Sequence, residues 1–258
     1  MSTGTPTDLE SGIEYPDSDG QPMSDNTLQF QWIQTIQGNL DALFRHHPLV
    51  FVAGDLLWYP VKGKPELRIA PDALVAFGPP KGYRGSYQQW LEGDQPPQVV
   101  FEILSPYNRP AEMDAKFDFY ERFGVEEYYF YDPYTPDLCG WLRAGESLEP
   151  IPELNDWVSP RLGIRFDPSG EELVIFRSDG QRFLTFVELM ALQEDTQQTI
   201  DLERKARKQI ERREEQEQLA KVQECLAKEQ ERLAKERAEE RVRLLSQKLR
   251  ELGIDPEA

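Results

Sequence analysis

Three residues stand out by type and setting. Glu102 interrupts the apolar run VVFEIL (residues 99–104). On a strand, Val100, Glu102 and Leu104 would share one face and Val99 and Phe101 the other, so Glu102 intrudes on an otherwise apolar surface. A carboxylate there is costly unless it is paired or metal-bound. Asp72 follows Pro71 inside a second apolar run, LRIAPDALVAF (67–77), and raises the same question. Lys116 lies in a helical stretch between one row of Met113, Phe117 and Tyr120 and a neighbouring row of Glu112, Phe119 and Phe123. Only its head is free to reach a polar group. Two readings stay open. Glu102 could partner a buried Arg or Lys, and Lys116 could snorkel toward Glu112 or Tyr120. Alternatively, the two acids share a divalent cation, which prefers oxygen donors, with the ammonium beside it.

The surrounding pattern supplies elements that could position these groups. Residues 1–25 are rich in Ser, Thr, Gly, Pro and Asp and are expected to form a loose arm. Asn26 or Thr27 can cap a helix of about twenty residues. Its buried stripe is expected at Leu28, Trp32, Ile36, Leu40 and Leu43. Strands are expected over 49–59, 67–77 and 98–104. The segment SYQQWLEG between the last two is a short helix candidate. A helix follows over 110–123, with Pro in its first turn and Gly124 to end it. A strand over 127–132 comes next, then hairpin pieces at 138–143, 163–166, 173–177 and 182–186. Asp179-Gly180 is a hairpin turn signal. This is an α/β domain over residues 26–190.

From 187 to 252 the chain has neither Pro nor Gly and is dominated by Glu, Lys, Arg, Gln, Ala and Leu. It reads as one long charged helix, about 90 Å at 1.5 Å per residue, and the tail is taken as 191–258. Leu219, Val222, Leu226 and Leu233 fit one heptad seam, and Val242, Leu245, Leu249 and Leu252 another. A homodimer through this helix is one expectation; a solvated single helix held by charge pairs is the other.

Charge is uneven. The formal net charge is −18. Residues 201–250 hold 15 basic and 12 acidic side chains, whereas residues 1–200 hold 14 basic and 32 acidic. Nucleic-acid affinity is largely a phosphate–cation term, so the acidic part argues against tight non-specific binding to DNA. It leaves room for metal-assisted binding in one cleft. Cys139 and Cys225 are too isolated for a disulfide framework or a zinc site, and a reducing cytoplasm is expected. No apolar run approaches the roughly 20 residues of a membrane span, and the acidic, polar start is unlike a signal peptide. His46 and His47 close the first helix, where capping is expected.

Several stretches together resemble the Uma family of restriction-endonuclease-like proteins, a bacterial branch of the PD-(D/E)XK superfamily. They are DGQPMSDN (19–26), FVAGDLLWYP (51–60), APDALVAFG (70–78), PPQVVFEILSP (96–106), Lys116 with FYERFGVEEYYFYDP (119–133), and GWLR (140–143). The resemblance covers roughly residues 14–190. It implies a mixed central sheet, Asp72 and Glu102 as the acids of the two strand motifs, and the backbone carbonyl of Ile103 as a further metal ligand. It also implies a Mg²⁺- or Mn²⁺-dependent endonuclease with DNA as its substrate. The superfamily strand motif reads Glu-x-Lys, but here it is Glu102-Ile103-Leu104. Lys116, one helix on, matches the family lysine and would supply the ammonium from another backbone position. The alternative function is a degenerate nuclease fold kept as a protein-interaction module on a coiled coil. In the catalytic reading a metal ion neutralises charge and generates a nucleophile from water. Lys116 then orients the water or stabilises developing charge. Asp55, beside Gly54, is a candidate outer ligand.

Overall fold

The computed structural model describes residues 7–8, 12–20 and 22–251. Two-residue strands β1 (Thr7–Asp8) and β2 (Ile13–Glu14) pair antiparallel. Helix α1 (Thr27–Leu43) follows, then β3 (Val50–Ala53), β4 (Trp58–Tyr59), β5 (Ala73–Phe77), β6 (Tyr87–Gln88) and β7 (Val99–Ile103). Helix α2 (Pro110–Arg122) leads into β8 (Glu127–Asp132), β9 (Asp137–Ala144), β10 (Ser147–Pro150), β11 (Arg165–Asp167), β12 (Val174–Phe176) and helix α3 (Phe186–Glu251). The central sheet has six strands in the order β10-β9-β8-β7-β5-β3. β7 and β8 run parallel and the other neighbours antiparallel, so this is the expected α/β fold with a mixed sheet and a long C-terminal helix.

Strand alternation divides the core between two faces. Val99, Phe101 and Ile103 pack with Ala73, Val75 and the α1 residues Ile33, Ile36 and Leu40. Val100 packs on the other face with Leu74, Ala76, Phe51, Tyr128 and the α2 residue Tyr120. Helix α1 is capped by Asn26, whose side chain accepts from the amides of Leu28 and Gln29, as its sequence predicts. Its buried stripe is rotated from the expected one. Gln29, Ile33, Ile36 and Leu40 are buried, while Trp32 and Leu43 are only partly so.

Several expected elements change. The strand over 49–59 breaks at Gly54-Asp55, where Asp55 takes φ 46°. A Cβ on Gly54 would meet the Asp72 carbonyl oxygen at 3.2 Å and Gln37 at 3.3 Å, so this close approach favours glycine. The strand over 67–77 shortens to β5, leaving Asp72 just before it rather than inside it. The helix expected at SYQQWLEG is instead β6, paired parallel with β4, and a single 3₁₀ turn, Gln89–Leu91. Residues 182–186 contribute one isolated bridge, Phe176–Arg182, and Phe186 already opens α3. The expected loose arm is anchored at Tyr15, which is fully buried beside Leu57 and Tyr59; residues 1–6, 9–11 and 21 of that arm lie outside the described residues.

The chain divides into two units, Met1–Met190 and Ala191–Ala258. Within the second, α3 is held along its own length by pairs such as Glu217–Lys221, Glu224–Lys228 and Glu231–Lys235, the spacing that places side chains one above another on a helix. Leu219, Val222, Leu226, Leu233, Val242 and Leu245 are exposed. Leu252 of the second seam lies outside the described residues. Among the described residues no helix is long and apolar enough to cross a membrane.

Candidate active site

Antiparallel register brings the two acids together. Ala73 pairs with Phe101 across β5 and β7, so the next step along the ladder sets Asp72 opposite Glu102. Residues directly opposite in an antiparallel pair project to the same face, here the face that carries α2. Oδ2 of Asp72 accepts a hydrogen bond from the Ile103 amide at 2.6 Å. That bond fixes the Asp72 carboxylate over the end of β7.

Helix α2 supplies the groups that meet Glu102. Lys116 and Tyr120 are one turn apart, hence on one helix face. Nζ of Lys116 donates to Oε2 of Glu102 at 2.7 Å, and the Tyr120 hydroxyl donates to Oε1. Glu102 is 2% exposed and Lys116 19%. The structure bears out the ion-pair reading of Glu102, with Lys116 as its partner. Lys116 also lines the cleft together with Asp72.

The electrostatics follow from burial and proximity. Burial, then the neighbouring Glu102 charge, pushes the Asp72 carboxyl well above its usual range, against the opposing pull of Lys116 and the Ile103 amide. Burial would lower the Lys116 ammonium, but Glu102 and Asp72 more than offset it and hold it above its ordinary value. Tyr120 is pushed well up by burial and by Glu102, so its hydroxyl stays a donor. Asp55 is raised by burial, then by Asp19, while Lys116 pulls it down. Asp55 lines the same cleft as Asp72 and Lys116. Its amide donates to the Pro71 carbonyl at 3.0 Å, tying the break after β3 to the residue that precedes Asp72.

Sequence reasoning missed the brace from α1. Gln29 donates through Nε2 to the Ile103 carbonyl at 2.9 Å and accepts through Oε1 from the Asp25 amide. Asp25 in turn accepts from the Ser105 hydroxyl. The available signal was a glutamine four residues before Ile33 on the same helical stripe, where a buried amide needs partners. His46 and His47 lie beyond the end of α1 and do not line the cleft.

The cleft encloses about 660 Å³ and is lined by Asp72 and Lys116 with Asp55, Asp19, Gln29 and Arg68 among others. A smaller pocket of about 270 Å³ lies between α1 and residues 172–188 and contains none of the candidate residues. Among the described residues, no three His, Cys, Asp or Glu side chains are placed to hold a metal ion. A cation here would draw on Asp72, Glu102 and the Ile103 carbonyl, completed by water. The donors fit a hard divalent ion: all are oxygens, and the buried acids face one ammonium, a charge deficit that a cation would relieve. Glu102 and Ile103 already have internal donors, so an ion would share or displace them.

No curated protein matches the chain. A solved structure titled "putative nuclease belonging to DUF820", from Anabaena variabilis ATCC 29413, is similar at 14% identity. The match covers 57% of this chain and 75% of that one, with a TM-score of 0.40. The model of the Uma2 family, described as "Putative restriction endonuclease", matches residues 8–205, and the chain belongs to that family.

Proposed function

We propose that this protein is a nuclease that hydrolyses DNA phosphodiester bonds with Mg²⁺ or Mn²⁺ at the cleft lined by Asp72 and Lys116, with the buried Glu102 bonded to Lys116. The observation that supports it most is the register that sets Asp72 opposite Glu102 on one sheet face, with the Lys116 ammonium beside them. Asp72, Glu102 and the Ile103 carbonyl would hold the cation, with Asp55 as an outer acid. When bound, a divalent ion neutralises phosphate charge and lowers the pKa of a water nucleophile. Lys116 orients that water or stabilises charge growing on the phosphate oxygens. Tyr120 would keep one oxygen of Glu102 fixed, with the Lys116 ammonium at the other. Leu104 occupies the usual lysine position of the strand, so the ammonium is delivered from α2 instead.

A second reading is a degenerate nuclease fold serving as an interaction module. It is favoured by one observation: both oxygens of Glu102 are already satisfied internally and the residue is 2% exposed. Cleavage of plasmid and single-stranded DNA with added Mg²⁺ or Mn²⁺, with Asp72→Ala as control, separates the two. Metal-dependent cutting lost in the variant supports the nuclease. No cutting with either metal supports the module.

A further inference from the structure

The lining of the cleft contains more than the candidate catalytic group. Met23 and Tyr107 also line it, and they are 50% and 75% exposed. Tyr107 sits on a turn that is braced from both sides. Its amide donates to Ser105 Oγ at 3.3 Å, and the Ser105 amide donates to Asn108 Oδ1 at 2.8 Å. The Ser105 hydroxyl bonds Asp25, two residues from Met23. The backbone under the ring is held while the ring faces solvent. Arg68, half-buried in the same lining, adds a permanent cation distinct from Lys116.

Charge narrows the choice of ligand. Asp19, Asp25, Glu66 and Glu112 line the cleft as well. A polyanion held only through its phosphates would be repelled by them, because duplex affinity is dominated by the phosphate–cation term. Surfaces that carry no charge would then add affinity that the phosphates alone do not supply. A regular duplex keeps its base faces stacked inside and offers an exposed tyrosine nothing flat to meet. An unstacked nucleotide offers a phosphate and a free π-face together. The cleft volume of about 660 Å³ falls within the range of small-ligand pockets, about 300–1,000 Å³.

We propose that this cleft receives an unstacked nucleotide of a single-stranded nucleic acid, with Tyr107 and Met23 contacting its base and Arg68 a neighbouring phosphate. This rests on the nuclease reading for the reason a phosphate enters the cleft, and it assigns that nuclease a single-strand preference. Tyr107 is then a specificity residue outside the hydrolytic chemistry.

The test uses the full-length chain with Ca²⁺ present and a fluorescent oligonucleotide of about 12 nucleotides, within the span of single-strand sites. Anisotropy compares it with the matching duplex. The single strand should bind at least about tenfold tighter. Tyr107→Ala should weaken it about tenfold, within the range of one lost base stack, leaving duplex binding unchanged. Tyr107→Phe should bind like the parent, and unaltered melting of both variants shows that they fold. The Tyr107 effect should persist from about 50 to 200 mM salt, where phosphate contacts weaken. Equal or tighter duplex binding, or a Tyr107→Ala chain that binds like the parent, overturns the proposal. A parallel cleavage assay separates the two claims. Cutting without strand preference leaves the nuclease and removes the nucleotide site. Tyr107-dependent binding without metal-dependent cutting does the reverse.

Discussion

Lys116 on α2 places Nζ 2.7 Å from Oε2 of Glu102 on β7. The glutamate is 2% exposed and the lysine 19%, so the pair is nearly dry. Breaking such a pair from one side leaves a buried charge alone. Lys116→Met is therefore expected to lower stability by about 3–5 kcal/mol. Adding Glu102→Gln should return part of that loss, since the buried glutamate charge is then gone. Neither variant should cleave DNA. Urea unfolding of the single and double variants checks this; a Lys116→Met chain as stable as the parent contradicts it.

Asp72 gives a dependence on pH. Its carboxyl is raised well above 3.8 by burial and by Glu102, so the folded state binds its proton more tightly than the unfolded chain does. The resulting stability is fully present below the unfolded pKa and is lost as pH rises through the folded one. At neutral pH and without metal, Asp72→Asn should melt higher than the parent, and the gap should close as pH falls toward 3.8. Mg²⁺ should raise the parent's melting temperature by mass action and leave the variant unmoved. Equal metal shifts in both chains count against a site at Asp72.

Glu127 predicts the opposite pairing of effects. It is fully buried at the start of β8 and accepts from the Ser159 hydroxyl, from Tyr129 Oη at 2.9 Å and from the Arg161 amide at 2.6 Å. Removing it strands three donors, at about 1–3 kcal/mol for each buried group left unsatisfied. It pairs with Val99, the end of β7 away from Ile103. Glu127→Ala should thus lose at least about 3 kcal/mol of stability while cleavage per folded molecule stays unchanged. Calorimetry alongside a cleavage assay measures both; a stable but inactive variant would be the wrong outcome.

The sequence carried the order of elements well because each long element had a period of its own. β8 and α2 end where Asp132-Pro133 and Phe123-Gly124 stop them. The helix expected at SYQQWLEG failed because the pairing of Tyr87 with Trp58 is non-local, and tertiary contacts override short-range propensity. Asp72 and Glu102 were visible as acids in apolar runs, and Lys116 as an amine between apolar rows. Register made them neighbours, and no single segment encodes register. Gln29 was hidden because its partner, the Ile103 carbonyl, lies 74 residues away.

The tail makes a separate prediction. Its apolar side chains at Leu219, Val222, Leu226 and Leu233 are exposed, but Glu229 and Glu236 continue the same seam. Like charges facing each other across a parallel pair oppose association. Self-association should therefore be weak, rising with protein concentration and lost in a chain ending near Gln193. Sedimentation velocity over a concentration series checks this. A full chain that stays monomeric throughout removes the homodimer.

The most direct measurement is cleavage of supercoiled plasmid and single-stranded DNA by the full-length protein, its Asp72→Ala variant and its Lys116→Met variant. Each is assayed with Mg²⁺, with Mn²⁺ and with EDTA. The account predicts cutting by the parent with either metal, none with EDTA, and loss of at least about a hundredfold in each variant, the scale of removing one charge-stabilising group. Cutting that survives EDTA, or that Asp72→Ala retains in full, would contradict it.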